Sequence, residues 1–112
     1  MKKIFKSITS ILYIIIISIS LSAAAHSQSK DYLKRAISAM EIGLFEESLK
    51  QLNFALRDDP KNAQVHKLKA LLYEALGKKD NAIKSWDDCI RYAKDQNIIK
   101  EAEIHLNYLN GI

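Results

Sequence analysis

The side chains that could perform chemistry in this chain are few and scattered. Cys89 is the single thiol, and His26, His66 and His105 lie far apart in the sequence. A nucleophilic cysteine needs a positioned base and a lowered pKa, and a zinc site needs more ligands at closer spacing. We therefore expect Cys89 to be a small core residue and the histidines to be surface or packing residues. The sequence predicts no metal site and no cofactor.

The carboxylates do not form a convincing acid–base pair either. They occur as sequence neighbours, Asp58 with Asp59 and Asp87 with Asp88. Adjacent side chains on a helix point about 100° apart, so such pairs are poor candidates for a shared acid–base site. Glycine-rich phosphate-binding motifs and the serine nucleophile elbow are missing from the sequence. We therefore predict that the protein is not an enzyme.

Composition and charge limit the class of protein. The chain has 112 residues and a net charge of +4, but Lys2, Lys3 and Lys6 lie at its start and the remainder is close to neutral. A nucleic-acid-binding protein should show a basic stripe or patch, and none is visible after these lysines. Three glycines and one proline argue against a β-sandwich, and one cysteine excludes a disulfide framework. One small helical domain fits these numbers.

The N-terminal segment, residues 1–25, has the pattern of an export signal. Residues 1–6 are cationic, residues 8–21 are uncharged and largely apolar, and Ser22 to Ala25 are small. Signal peptides combine these three segments in this order, because the small residues fit the peptidase pocket. We predict a signal peptide over residues 1–25, a short linker over residues 26–29, and a mature protein in the bacterial periplasm or outside the cell.

The alternative is an uncleaved membrane anchor. No charged residue lies between residues 7 and 29, which is long enough to cross a bilayer. Several serines, His26 and Gln28 dilute this stretch, which favours cleavage over retention. Both alternatives place residues 30–112 outside the cytoplasm, and in both the membrane is touched only through the N-terminal segment. Retention would give a protein anchored in the inner membrane and facing the periplasm.

The rest of the chain has helical periodicity. From Lys30 onward apolar residues recur at intervals of three and four, which predicts amphipathic helices. Gly43 and Gly77 mark helix ends and Pro60 stops a second helix. Asn62 and Asp80 are predicted to cap the helices that follow them. A last helix is predicted over residues 97–109.

The periodic segment contains an internal repeat. When the sequence is aligned with itself at an offset of about 34 residues, residues of similar type coincide. The matched pairs are Ala36 with Ala70, Gly43 with Gly77, Lys50 with Lys84, Ala55 with Cys89 and Arg57 with Arg91. A helix–turn–helix unit of about 34 residues, the length of this offset, is typical of the tetratricopeptide repeat. Residues 29–62 resemble one such repeat and residues 63–96 a second. The resemblance is incomplete, since Arg35 and Lys69 replace a leucine and Lys94 replaces the closing proline.

The resemblance implies an all-α fold, an α-solenoid of two helix–turn–helix repeats over residues 30–112. The helix over residues 97–109 would cap its open end, with Lys100, Glu101 and Glu103 in solvent. The small residues of each repeat would act as spacers that let helix axes approach to about 8–10 Å. Two units and a cap form a small core, so a homo-oligomer is also considered.

The resemblance also implies a function. In this family the first helix of each repeat lines a concave groove that binds a peptide or a partner helix. By position, the groove residues are Leu33, Ile37, Met40, Glu41, Lys67, Leu71 and Glu74. We expect a non-catalytic adaptor or assembly factor with a protein partner. The alternative for Leu33 and Ile37 is burial beneath the N-terminal segment or a dimer contact.

Overall fold

The protein is all-α. The computed structural model describes residues 2–112, apart from the side chain of Ala25, after which cleavage is predicted. Within this range there are five α-helices and no strand: α1 Lys2–Glu41, α2 Phe45–Asp58, α3 Ala63–Ala75, α4 Lys79–Tyr92 and α5 Gln96–Asn110. The helical class predicted from periodicity is confirmed.

Helix α1 is 40 residues long and continuous. It passes through residues 26–29 without a break, so the backbone shows no linker where the sequence predicts one. The described side chains before Ser29 are all exposed, whereas Ser29 is only 4% exposed. A helix of this length extends for about 60 Å, which accounts for the elongated extents of 70 × 29 × 20 Å. Packing therefore begins at Ser29, shortly after the predicted cleavage point.

Three glycine turns end the odd-numbered helices in the same way. After α1, the Gly43 N–H donates to the Met40 carbonyl and the Leu44 N–H donates to the Ala39 carbonyl. The same two bonds recur at the next two glycines, from Gly77 to Glu74, Lys78 to Tyr73, Gly111 to Tyr108 and Ile112 to Asn107. All three glycines have positive φ, between 69° and 79°. This bonding pattern is the Schellman motif, whose left-handed residue favours glycine.

The helices pack as two antiparallel pairs and an added helix. Helix α1 packs on α2, α3 packs on α4, α2 contacts α3, and α5 lies against α4. The predicted spacer residues are buried: Ala36, Ala55, Ala70 and Cys89. One buried cluster joins α1, α2 and α3, and a second joins α3, α4 and α5 around Trp86. The two clusters therefore share α3.

Only one of the two helix N-caps predicted from the sequence is observed. Asn62 caps α3 as predicted, because its side chain accepts the Gln64 and Val65 N–H groups. The predicted cap at Asp80 is wrong. The Ala82 N–H donates to the Lys78 carbonyl, so Lys78 precedes α4 and Asp80 lies inside its first turn. There Asp80 complements the positive end of the helix dipole instead.

The last helix begins one residue earlier than predicted. Its N-cap is Asp95, whose side chain accepts the Asn97 N–H. It ends at Asn110, before Gly111. Helix α5 therefore spans residues 96–110, whereas the sequence predicts 97–109.

Candidate partner-binding groove

The groove residues predicted on α1 lie along one side of the helix. Leu33 and Met40 are half-buried against the cluster that joins α1, α2 and α3. Ile37 is 39% exposed and Glu41 is exposed. The N-terminal segment does not fold over Leu33 or Ile37, because it continues α1 away from them. Of the two alternatives for burying these residues, cover by that segment is therefore wrong.

The groove residues predicted on α3 are engaged by neighbouring helices. The Lys67 ammonium donates to the Glu101 carboxylate of α5. Leu71 packs on the cluster that contains Trp86 and Ala102. These side chains therefore help to hold α5 in place, and they offer a partner less free surface than the α1 residues do. Glu101 is half-buried, so the expectation that it faces solvent is wrong.

Glu74 is the centre of a small polar network. Its Oε1 accepts a hydrogen bond from Trp86 Nε1 at 2.6 Å and contacts His105 Nδ1 at 2.8 Å. The Trp86 and His105 rings stack with centroids 4.4 Å apart. Trp86 is 0% exposed, and a buried indole N–H needs an acceptor. Glu74 therefore joins α3, α4 and α5, a role that the sequence did not predict.

The third glycine turn identifies the residues of α5 that are equivalent to the predicted groove residues. Because Gly111 follows Gly77 at the same interval as Gly77 follows Gly43, α5 is equivalent to α1 and α3. The positions equivalent to Lys67, Leu71 and Glu74 are then, in order, Glu101, His105 and Tyr108. Tyr108 is 78% exposed. These residues were not predicted from the sequence, although the spacing of the three glycines could have revealed them.

The chemical character of this surface therefore changes from one helix to the next. On α1 it is apolar, on α3 it is mixed, and on α5 it is polar. Two polar contacts join α3 to α5, Lys67 with Glu101 and Glu74 with His105. The exposed apolar part of this surface is therefore on α1.

The remaining face of α5 is open to solvent. The positions equivalent to the α2-facing side of α1 include Lys100 and Ile104, and both are exposed. In the two helix pairs the position equivalent to Ile104 holds Ala36 or Ala70, each nearly or fully buried. Lys100 thus lies in solvent as predicted, and so does Glu103.

The Cys89 thiol and the His66 imidazole are both held in packing contacts. Cys89 is fully buried, and burial raises the pKa of its thiol, with a smaller opposing effect from Lys67. A thiol held protonated is a poor nucleophile. His66 stacks on Tyr92, and its Nε2 lies 2.9 Å from the Pro60 carbonyl oxygen.

The carboxylate pairs are also in helix-end or surface contacts. Asp58 lies 3.8 Å from Arg57, and Asp88 lies between Lys84 and Arg91 at 3.9 and 3.5 Å. Asp87, the partner of Asp88 in sequence, is exposed. Within residues 2–112, no group of three or more His, Cys, Asp and Glu residues is placed to hold a metal ion.

One surface depression lies outside the predicted groove. It has a volume of about 510 Å³ and is lined by Glu46, Leu49, Lys50, Asn53, Phe54, Tyr73, Lys78 and Asn81. Cations lie over its aromatic rings, Arg57 at 5.3 Å from the Phe54 centroid and Lys69 at 5.9 Å from the Tyr73 centroid. A second depression, about 290 Å³, includes Glu74 and Tyr108 and therefore borders the groove.

Neither a protein-family model nor a curated protein matches this sequence. The tetratricopeptide resemblance therefore rests on the internal periodicity of the chain itself. A further feature bears on function: α1 is long and apolar enough to cross a membrane, with a mean hydropathy of 2.2 in its most apolar window. A signal sequence near the N-terminus has the same property, so this helix alone does not distinguish an anchor from a cleaved signal.

Proposed function

We propose that this protein is a non-catalytic protein–protein interaction module of the tetratricopeptide type. It would be an adaptor or assembly factor in the periplasm or cell envelope. The single observation that carries the proposal is the recurrence of the same turn hydrogen bonds at Gly43, Gly77 and Gly111, which are equally spaced. This recurrence supports an architecture of two repeats followed by a capping helix, because a repeat preserves backbone geometry while its side chains vary.

The proposed mechanism is capture of an amphipathic peptide or helix in the groove. Leu33, Ile37 and Met40 would supply apolar contacts from α1, and Glu41 would help to choose the register. Apolar anchors contribute most of the affinity in helix-in-groove binding, whereas charges mainly set specificity and association rate. The α3 residues Lys67, Leu71 and Glu74 would form the far wall of the groove, held in position by α5.

A pair of substitutions on α1 tests the groove. Leu33→Asp with Ile37→Asp should abolish capture of a partner, because each charge would be placed on the apolar contact surface. A photo-crosslinking amino acid at position 37 in living cells should yield a discrete adduct, which the Leu33→Asp change should remove. Circular dichroism should show that the helices persist.

Two control variants separate loss of the groove from damage to the core and from a general effect of added charge. Leu33 is half-buried, so Ile37→Asp alone serves as a variant that leaves the core intact. Ile104→Asp places the same charge on an exposed residue outside the groove. With the photo-crosslinking residue moved to position 41, Ile37→Asp should remove the adduct and Ile104→Asp should not. Adducts of equal yield from positions 37 and 104, or an adduct at position 41 that Ile37→Asp leaves unchanged, would exclude the groove as the binding site.

A second candidate function is a membrane-anchored, extra-cytoplasmic subunit of an envelope complex. The continuity of α1 through residues 26–29 favours it, because the apolar segment and the first helix of the repeat unit are one element. The Ser29 hydroxyl donates to the Ala55 carbonyl at 3.3 Å, which fixes this helix to α2. The intact mass of the native protein decides between the candidates. Loss of residues 1–25 supports a cleaved signal, and a full-length chain supports the anchor.

A further inference from the structure

One end of the repeat unit surrounds the point where the apolar part of α1 leaves it. At this end Ser29 contacts Ala55, which brings the C-terminal turn of α2 beside α1. His66 then connects the α2–α3 loop to the end of α4, since it contacts the Pro60 carbonyl and stacks on Tyr92. The α2–α3 and α4–α5 loops therefore lie at the same end. We call this the exit end. The three glycine turns lie at the opposite end.

Exposed basic side chains lie in or beside these two loops and at the start of the packed part of α1. They are Lys30, Arg57, Lys61, Arg91 and Lys94. Two of them are paired, since Arg57 lies 3.8 Å from Asp58 and Arg91 lies 3.5 Å from Asp88. The carboxylates of Asp31 and Asp95 are also exposed at this end. No salt bridge within residues 2–112 includes Lys30, Lys61 or Lys94, so these three lysines are the cations able to contact another surface.

The dimensions of α1 set the distance of this end from a membrane. The uncharged stretch from residue 7 to residue 29 is about 34 Å long as a helix, which matches a hydrocarbon core of about 30 Å. Lys6 and Lys30 would then lie at the two boundaries. Because the helix continues without a linker, Lys30 and the exit end are carried to the same surface.

We propose that the exit end lies against anionic lipid headgroups, with Lys61 and Lys94 facing them. The proposal rests on the second candidate function, retention of the N-terminal segment. Headgroup attraction acts over about one Debye length, roughly 10 Å at 0.1 M salt, so it requires the close placement that an unbroken helix gives. The α1 side of the groove would then run away from the bilayer surface and open sideways, accessible to a partner in the same membrane.

Fluorescence quenching on the full-length chain tests this orientation. Gln64 and Asn81 are exposed amide side chains, each in the first turn of a helix. Gln64 lies at the exit end of the repeat unit, and Asn81 lies at the opposite end, beside a glycine turn. Gln64→Cys and Asn81→Cys, each in a Cys89→Ala background, would carry the same fluorophore. The vesicles would contain phosphatidylcholine and phosphatidylglycerol, with a quencher on the headgroup. Quenching at position 64 should exceed that at position 81 several-fold. Equal quenching at the two positions, or stronger quenching at position 81, would overturn the proposal.

Two further comparisons of the same quenching signal test the role of the basic residues. In vesicles of phosphatidylcholine alone, quenching at position 64 should fall, although the anchor still inserts. Lys61→Glu with Lys94→Glu should lower it in the mixed vesicles as well, whereas Lys50→Glu with Lys84→Glu, exposed lysines away from the exit end, should not. Quenching that is the same in both kinds of vesicle, or unaffected by the first pair, contradicts contact with anionic headgroups.

The experiments distinguish failure of the membrane-anchor hypothesis from failure of the headgroup contact. If the mass of the native protein shows that residues 1–25 have been removed, the anchored candidate is wrong and this proposal is wrong with it. If the chain is intact and sediments with the vesicles but position 64 is not preferentially quenched, the anchor stands and only the headgroup contact is overturned.

Discussion

The two helix pairs have the same backbone turns but use their equivalent side chains differently. In the first pair, Leu33, Ile37 and Met40 are half-buried or exposed and no described helix covers their outer side. In the second pair, the equivalent Lys67, Leu71 and Glu74 are engaged by α4 and α5. The comparison shows that equivalent positions place side chains on the same side of their helices, whereas the next helix along determines whether those side chains are covered or stay open.

The largest expected effect concerns the centre of the second pair. Trp86 and its equivalent Leu52 are both fully buried. Trp86→Ala should destabilise the protein by about 3–5 kcal/mol, because it opens a large cavity between α3, α4 and α5. It also removes the donor to Glu74. Urea unfolding followed by circular dichroism measures the loss.

Two variants sharpen this prediction. Trp86→Phe keeps most of the volume and should cost clearly less than Trp86→Ala. Leu52→Ala probes the equivalent site, with an expected cost of about 2–5 kcal/mol. If Trp86→Ala costs less than about 1 kcal/mol, the second cluster is not a core and α5 is not held as described.

The next effect compares three equivalent positions that hold residues of different size. Ala36 and Ala70 are buried between paired helices, whereas Ile104 is 68% exposed. Ala70→Ile should cost about 1–3 kcal/mol through overpacking. Ile104→Ala should change stability by less than about 0.5 kcal/mol. Chemical denaturation of both variants tests this, and a large loss from Ile104→Ala would mean that another surface covers α5.

The turns at Gly43 and Gly77 should respond alike to substitution of their glycine, and the turn at Gly111 should respond less. Gly43, Gly77 and Gly111 have positive φ, and a Cβ added at any of them meets no atom within 4 Å. The cost of alanine should therefore come from the backbone alone, about 1–2 kcal/mol at Gly43 and Gly77. A smaller cost is expected at Gly111, because the last turn frays more easily. Thermal unfolding of the three alanine variants measures these costs. Widely different costs at Gly43 and Gly77 would contradict the equivalence of the two turns.

The sequence was sufficient for the features that depend on local periodicity. Apolar spacing predicted the helices, and glycine predicted the left-handed turns at residues 43 and 77, because both depend on neighbouring residues. Burial of Ala36, Ala55, Ala70 and Cys89 followed from their repeat positions. The cap at Asp80 was predicted wrongly, since Asp is favourable both as a cap and in the first turn.

The contacts of the candidate groove could not be predicted in the same way. The contacts of Lys67 with Glu101 and of Glu74 with His105 join residues 34 and 31 positions apart. A single sequence gives the position of each residue on its own helix but not which charges meet across two helices. The polar side of the groove on α5 follows from the periodicity only when Gly111 is recognised as the third equivalent turn.

The smallest expected effect concerns Lys69 and its equivalent in the first pair, Arg35. Lys69 is half-buried, and burial lowers the pKa of its ammonium, with a further lowering by Lys84 and an opposing effect of Asp88. Burial therefore makes the charged ammonium less favourable in the folded chain than in the unfolded chain. Between the lowered pKa and the ordinary lysine value of about 10.4, the unfolded chain binds a proton that the folded chain lacks. The contribution of Lys69 to the free energy of unfolding therefore rises with pH between these two pKa values.

Lys69→Met should remove both effects. We expect a gain of less than about 0.5 kcal/mol at neutral pH and a flatter dependence of the urea midpoint in the pH range just below the ordinary lysine pKa of about 10.4. Arg35→Met is the matched control, since Arg35 is exposed and arginine does not titrate in this range. The same flattening in both variants would assign the pH dependence to other groups. A loss of stability in Lys69→Met alone would show that the contact of Lys69 with the Tyr73 ring outweighs its burial.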